Sequence, residues 1–321
     1  NYLAKKKPLS LLFDSGLTLV EGAGFRAKIH KVDIVFPALH GTHGEDGEVM
    51  AICEMANVPY VGCDVISSVV AMDKVLAKQV AEANGILISP YVAFYKNEYE
   101  ANPRFWLNRV ERLKYPLFVK PAHLGSSIGI SRVKDARELE NAIEVALHYD
   151  DKALVEEAIS NLTEVTLPIM GNETLIPAFL EEPTTKAEDF FDFDTKYMQG
   201  GKGKGKGGGK NGEQGAQGYS TIPADLPKGL YEKAEQTGLS VFRALGCHGY
   251  ARIDMLIDRK AEKVYFNEVN PLPGSLYAHN WAKKGVSNVE LVQRLVQLAL
   301  ERFEKRAGMT TSFSTNYLQQ F

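Results

Sequence analysis

Cysteine is nearly absent: Cys53, Cys63 and Cys247 are the three in 321 residues. No two of them have a metal-ligand spacing, and an odd number argues against a purely disulfide framework, so a reducing cytoplasm is the setting that fits best. A large excess of one charge is also missing. Lys and Arg number 37 against 40 Asp and Glu, for a formal net charge of -3. Neither nucleic acid nor an anionic membrane is therefore indicated as the main partner, and any phosphate chemistry must come from local sites. No apolar run reaches the roughly 18 to 20 residues of a membrane span. The opening Asn1-Tyr-Leu-Ala-Lys-Lys-Lys-Pro8 lacks the apolar centre of a signal peptide, and internal repeats are not apparent. What is present is 45% hydrophobic residues, enough at this length for more than one core and for two or three domains.

The first part of the chain alternates apolar strands with helical patterns: a buried strand over 32–39, a helix over 47–56 and a short strand over 59–62. That order predicts a doubly wound α/β layer. Ligands in such layers gather beyond the carboxyl ends of strands, where His40-Gly-Thr-His-Gly-Glu-Asp-Gly47 lies. No Gly-x-Gly-x-x-Gly follows this strand, so an ordinary strand-to-helix turn also accounts for the loop. A helix over 72–84 leads to a second unit: strand 117–121, a polar glycine loop, strand 128–133, helix 136–146 and strand 153–156.

The loop Ala122-His-Leu-Gly-Ser-Ser-Ile-Gly129 joins two strand patterns. Its backbone N–H groups, with the hydroxyls of Ser126 and Ser127, suit an anion nest over phosphates; a ligand-free serine-glycine hairpin is the alternative. Lys120 stands among Leu117, Phe118 and Val119, where an ammonium group is costly to bury without an anionic partner. Lys74 starts a helix and is uninformative alone, because most such lysines are solvated. Glu156, Glu157 and Glu164 end or follow a strand. They could accept hydrogen bonds from an adenine amine or ribose hydroxyls, although a solvated strand end explains them nearly as well.

Near the C-terminus, Gly249-Tyr-Ala-Arg-Ile-Asp254 and Phe266-Asn-Glu-Val-Asn-Pro-Leu-Pro-Gly274 place Arg252, Asp254, Glu268 and Asn270 on two apolar strands. Polar residues alternate there with apolar ones and leave one face. Carboxylate and amide oxygens facing one way suit Mg2+, which commonly takes one or two carboxylates plus substrate phosphates. Arg252 would share that face and stabilise charge on a transferred phosphoryl group or a tetrahedral oxyanion. A pair of amphipathic strands with solvated charges remains the competing reading. Between the two units, residues 200–218 carry Lys202, Lys204, Lys206 and Lys210 against Glu213, a local +3. Their glycines oppose helix and strand. Either a cationic flap that closes over a triphosphate or a tolerated insertion fits such a run.

Seven motifs in one order, His40 to Gly47, Met72-Asp-Lys74, Phe118-Val-Lys-Pro121, Leu124 to Gly129, Phe190-Phe-Asp-Phe-Asp-Thr-Lys-Tyr197, Ala251-Arg-Ile-Asp254 and Asn267-Glu-Val-Asn270, resemble the D-alanine–D-alanine ligases of the ATP-grasp superfamily. The likeness implies an α/β plus α+β chain of three domains with the nucleotide held between two small sheets. The domains would be an N-terminal substrate domain (1–73), a central ATP-grasp subdomain (74–157) and a C-terminal catalytic subdomain (158–306) bearing the flap at 198–219, before a frayed tail (307–321). It implies ATP and two Mg2+ ions, with Mn2+ as an alternative occupant, small amino-acid substrates and a homodimer formed through the N-terminal domain.

Carried over by position, Lys74, Lys120 and Lys196 would bind ATP phosphates beneath Ser126 and Ser127. Glu156, Glu157 and the following backbone would hold adenine, and Glu164 the ribose. Asp254, Glu268 and Asn270 look like the metal ligands. Arg252 and the N–H of Gly274 look like the groups that stabilise the acyl phosphate and the tetrahedral intermediate. His40 and Glu45 would orient the first amino acid, and Ser126 and Tyr197 would help close the site around it.

Two departures stand out. The family normally begins with a strand and glycine loop carrying a glutamate that contacts the first amino acid's ammonium group, and this chain starts downstream of that unit: either the chain is incomplete, as a start at Asn1 rather than Met favours, or that role is absent. Where the family usually has Asn-Thr-x-Pro-Gly and then a serine for the second substrate's carboxylate, this chain has Asn270-Pro-Leu-Pro-Gly274, then Ser275-Leu-Tyr-Ala-His-Asn280. His279 falls near the serine position. Pro271 lacks an N–H and an imidazole brings a different shape and a titratable charge. Either His279 or Ser275 replaces the hydroxyl contact, or the acceptor differs. The expected activity is therefore ATP-dependent joining of two D-alanines for cell-wall precursors. A related ligase using another D-amino or D-hydroxy acid, or a non-catalytic nucleotide-binding module, is the alternative.

Overall fold

A computed structural model describes residues 9–14, 16–125, 127–183 and 220–310. The flap at 198–219 and most of the 307–321 tail lie outside the described residues. The chain opens with three antiparallel strands, β1 (Leu9–Phe13), β2 (Leu17–Glu21) and β3 (Lys28–Val32). Helices α1 (Glu48–Met55), α2 (Val65–Met72) and α3 (Lys74–Ala83) follow. The expected strand over 32–39 is not formed as such. Its centre makes a single parallel bridge, Val35 to Tyr60, in which the Val35 N–H donates to the Pro59 carbonyl and the Val61 N–H to the Val35 carbonyl, both at 2.9 Å. Pro37 and Pro59 have no N–H to extend the ladder, so the segment expected as a strand over 59–62 is likewise reduced to that bridge. The leading antiparallel meander was not anticipated from the sequence.

Next come β4 (Tyr91–Tyr95), α4 (Lys96–Ala101), α5 (Pro103–Val110), β5 (Leu117–Pro121), β6 (Ser131–Val133), α6 (Ala136–Tyr149) and β7 (Lys152–Glu157). Their four strands form one sheet in the order β4-β7-β5-β6. Leu117 and Val119 of β5 turn inward onto Leu139, Ile143 and Ala146 of α6, so Phe118 and Lys120 take the opposite face, as a strand period of two requires. The helix outruns the expected 136–146 by one turn. Asp135 caps its start by accepting from the Arg137 N–H at 2.9 Å. The strand expected over 128–133 shrinks to Ser131–Val133 because Ser127 and Gly129 adopt positive φ, 60° and 71°, which the extended backbone of a strand excludes.

The last part comprises β8 (Leu162–Gly171), β9 (Leu175–Pro177), β10 (Glu182–Pro183), β11 (Ser220–Thr221), α7 (Lys228–Ala244), β12 (Gly249–Asp258), β13 (Lys263–Asn270), α8 (Ala278–Lys283) and α9 (Asn288–Ala307). A second four-stranded sheet runs β13-β12-β8-β9. Ala251, Ile253, Met255 and Ile257 of β12 pack with Val165, Leu167 and Ile169 of β8 against Leu230, Ala234, Val241 and Phe242 of α7. That burial leaves Arg252 and Asp254 on the far face. The ladder between β12 and β13 shifts register between Asp254 and Met255, and the bulge gives Asn267 and Glu268 together to the cleft side. Gly249 fixes the junction with the first segment: its φ is +67°, and a Cβ there would lie 2.8 Å from the Gly62 carbonyl oxygen.

Candidate active site

Between the two four-stranded sheets lies a cleft of about 570 Å3 lined by Phe118 and Lys120 from β5, Glu156 and Glu157 from β7, Glu164 and Thr166 from β8, and Arg252, Asp254, Glu268 and Asn270 from β12 and β13. His40 and Glu45 line its end, as do Lys74 and Ser127. Residues far apart in sequence therefore converge, as the motif order implied. Ser126, Lys196 and Tyr197 lie outside the described residues.

One wall is a buried charge network. Glu156 is 2% exposed and pairs with both Lys120 and Lys78, the latter at 2.8 Å. Ser89 donates to its Oε2 at 2.5 Å and receives from Lys78 at 3.0 Å. Burial pushes the Glu156 carboxyl up, but the two ammonium groups outweigh it and hold the acid well below the usual range. The partner demanded by Lys120 is thus Glu156, and Lys120 also reaches Asn267 Oδ1 at 3.4 Å. Both Glu156 oxygens are engaged by protein cations, so its carboxylate is not left for a base. Glu157 accepts from the Lys114 N–H at 3.0 Å.

On the other wall Asp254 stands opposite Glu268 in the ladder, and Arg252 opposite Asn270. Arg252 grips Asp254 through two hydrogen bonds of 2.7 and 2.6 Å and donates a third, at 3.0 Å, to the Tyr277 hydroxyl. Lys74 lies 3.5 Å from Glu268 and donates to the Leu124 carbonyl at 2.5 Å. Asn270 Oδ1 receives the Leu272 N–H at 3.2 Å. Burial raises Asp254, with the charge of Glu268 adding to it against Arg252. Burial and the charge of Asp254 raise Glu164. Burial also works upward on Glu268, but Lys74, Lys120 and Arg252 prevail and lower it. Three carboxyl groups thus crowd one face, an all-oxygen donor set whose mutual repulsion a hard divalent cation would relieve.

At the end of the cleft formed by the first segment, Glu45 is 7% exposed. It accepts from the Gly41 N–H at 2.6 Å and lies 3.5 Å from His40 Nδ1. His40 packs on Gly274, where an added Cβ would come within 3.2 Å of its ring. The turn after Gly274 brings Tyr277 into the cleft wall, while Ser275 is exposed. His279 turns to Glu181, 2.9 Å away. Sequence reasoning missed Tyr277, Lys78 and Glu181, and named Asn267 only as part of a motif. Its place one helical turn after Lys74 was the available signal for Lys78.

Comparison with known proteins supplies the lineage of this cleft. Residues 80–297 match the family model for the D-ala D-ala ligase C-terminus, and residues 13–63 that for its N-terminus. The D-alanine–D-alanine ligase of Chloroherpeton thalassium is 37% identical over 308 residues, covering 94% of this chain and 79% of the relative. That of Enterococcus hirae is 37% identical over 280 residues, covering 86% and 73%. Among solved structures, the D-alanine-D-alanine ligase from Coxiella burnetii superposes with a TM-score of 0.75 at 27% identity, over 94% of this chain and 76% of that one. The VanG D-Ala:D-Ser ligase from Enterococcus faecalis gives 0.74 at 31%, over 91% and 79%. The two facing sheets are accordingly those of the ATP-grasp fold, and the chain belongs to the D-alanine–D-alanine ligase family.

Proposed function

We propose that this chain is an ATP-dependent ligase that joins two D-alanines, releasing ADP and phosphate, in the synthesis of peptidoglycan precursors. The observation that carries this reading is the convergence of Lys74 and Lys120 with Arg252, Asp254 and Glu268 in one cleft between two sheets. A carboxylate is a poor electrophile. An oxygen of the first D-alanine's carboxylate therefore attacks the γ-phosphorus of ATP and ADP leaves; the amine of the second then attacks the acyl carbon, and phosphate leaves.

Lys74 and Lys120 offset charge on the phosphates, and Arg252 stabilises the oxygens on which negative charge builds. His40 and Glu45 orient the first amino acid, with the N–H of Gly274 beside them. Glu164 holds the ribose, and the backbone after Glu156 the base. Asp254, Glu268 and Asn270 are the residues that would hold Mg2+, which when bound draws charge off the transferring phosphoryl group. The crowding of Asp254, Glu164 and Glu268 supports that occupancy, because it is repulsive without a cation.

The described cysteines are buried and free, in keeping with work in the cytoplasm, and among the described residues no helix is long and apolar enough to cross a membrane. The exposed apolar residues Leu9, Leu11 and Phe13 of β1 support assembly as a homodimer through the N-terminal part. A second reading, ligation to a different acceptor such as D-serine, is favoured by Pro271 in the cleft wall and by the 31% identity to a D-Ala:D-Ser ligase.

The test is phosphate release from Mg-ATP with D-alanine alone and then with a panel of D-amino and D-hydroxy acids, the products identified by mass. Dialanine formed at the highest kcat/KM establishes the first reading. Release only with another acceptor establishes the second, and no release with any acceptor refutes both.

A further inference from the structure

We propose that His123 is a positioning residue for the nucleotide: its doubly bonded ring ties the first turn of the glycine loop to the start of α3 and thereby sets the place of Lys74. The inference rests on the ATP reading of the cleft. Asp150 receives the backbone N–H of His123 at 2.7 Å and faces its Nδ1 at 2.9 Å. On the other side Nε2 lies 3.4 Å from Asp73 Oδ2. Asp73 caps α3, accepting from the Val75 and Leu76 N–H groups at 2.9 and 3.0 Å. The next residue is Lys74, whose N–H donates to the Ala122 carbonyl at 3.0 Å and whose Nζ donates to the Leu124 carbonyl at 2.5 Å. His123 thus sits between the two carbonyls that Lys74 uses, and its ring holds the capping residue in front of that lysine.

Both ring nitrogens face carboxylates, and only an imidazolium can donate on both sides; a neutral ring would turn a lone pair toward Asp73 or Asp150. The charged groups around the ring are Asp73 from the junction of α2 and α3, Asp150 and Asp151 at the end of α6, and Lys152 of β7, which lies 2.6 Å from Asp73 Oδ2. Carboxylates outnumber the ammonium group. Hydrogen bonds to Asp150 and Asp73 raise the ring to about 9, so it stays charged at neutral pH. Loss of that proton would leave Asp73 Oδ2 with Lys152 alone and loosen the loop from the helix. His123 serves no other role in the cleft as described, and nothing in the proposed chemistry passes through it.

The experiment measures binding of a non-hydrolysable ATP analogue with Mg2+ by calorimetry, on the full chain, from pH of about 6.5 to about 10. Wild type, His123→Gln and His123→Arg are compared, with thermal melting to verify that each folds. In the wild type the Kd weakens about tenfold as pH rises through about 9. His123→Gln is weak by the same factor throughout, and His123→Arg lacks the alkaline weakening.

NMR titration of the seven histidines follows the ring directly in the unaltered protein. Its pKa rises further when the analogue saturates the site, as linkage requires if the charged ring favours binding. Equal alkaline weakening in all three proteins, or a His123 pKa near 6.5 that the analogue does not move, overturns the proposal while leaving the nucleotide site standing. Failure of the wild type to bind the analogue at any pH overturns both.

Discussion

Arg252 holds both oxygens of Asp254 from two residues away on the same strand, with Nε 2.7 Å from Oδ1 and Nη2 2.6 Å from Oδ2. The fork leaves Nη1 to Tyr277, whose ring lies 5.3 Å from the guanidinium carbon. Position and planarity are thus fixed from three directions, and a lysine could keep the charge but not the fork. Arg252→Lys is expected to lower kcat by about 10²- to 10³-fold, the range for removing an oxyanion-stabilising donor, with little change in the KM for ATP. Steady-state phosphate release checks this, and a kcat within about threefold of wild type would remove Arg252 from the chemistry.

Glu268 pairs with Lys74 across 3.5 Å and stands opposite Asp254. If it is a cation ligand, Glu268→Gln removes one negative charge from the donor set and turnover collapses, because a neutral amide oxygen is the weaker ligand for a hard divalent ion. The measurement is kcat as a function of Mg2+ concentration. Near-normal kcat once Mg2+ saturates would rule out an essential role in the reaction.

The Lys78-Glu156-Lys120 network supports a stability prediction. Lys78 is 1% exposed, and removing one partner of a buried ion pair typically costs about 3–5 kcal/mol. Lys78→Met is expected to lower the melting midpoint by roughly 10 °C, at about 2–4 °C per kcal/mol for a large domain. The acid side of the stability curve carries a second sign. The folded Glu156 carboxyl lies below its ordinary 4.5, so its contribution is present above that value and is lost as pH falls toward the folded one. Melting curves of wild type and Lys78→Met over the acid range measure both, and an unchanged midpoint would show the network to be energetically neutral.

Much of the site was legible because strand alternation is a local signal. Arg252, Asp254, Glu268 and Asn270 follow the period of two on β12 and β13, and the lone charge of Lys120 in an apolar strand announced a buried anion. What the period could not reveal was the bulge between Asp254 and Met255, which adds Asn267 to the cleft, since a register shift depends on the neighbouring strand. The first segment was misread for a related reason. The apolar run at 32–39 has the composition of a strand, but strand formation needs a neighbour with free N–H groups, and Pro59 and Pro37 limit it to one bridge. Identity of the Lys120 partner was equally out of reach, because Glu156 and Lys120 meet only through the pairing of β5 with β7.

His279 provides the last prediction, because its position in sequence and its position in space point to different roles. By sequence it stands near the residue expected to read the second substrate. In the fold its Nε2 lies 3.0 and 2.9 Å from the two oxygens of Glu181, a carboxylate that is 7% exposed and also receives Asn280 at 3.1 Å. We propose that an imidazole engaged in this way holds the turn rather than the acceptor. His279→Gln is therefore expected to leave the ranking of acceptors unchanged while lowering the melting midpoint by a few degrees, about what one charge-assisted hydrogen bond contributes. The acceptor panel run on the variant and the wild type decides it. A change in the preferred acceptor, with stability unaltered, would return His279 to the substrate side and make the turn after Gly274 the selector of the second substrate.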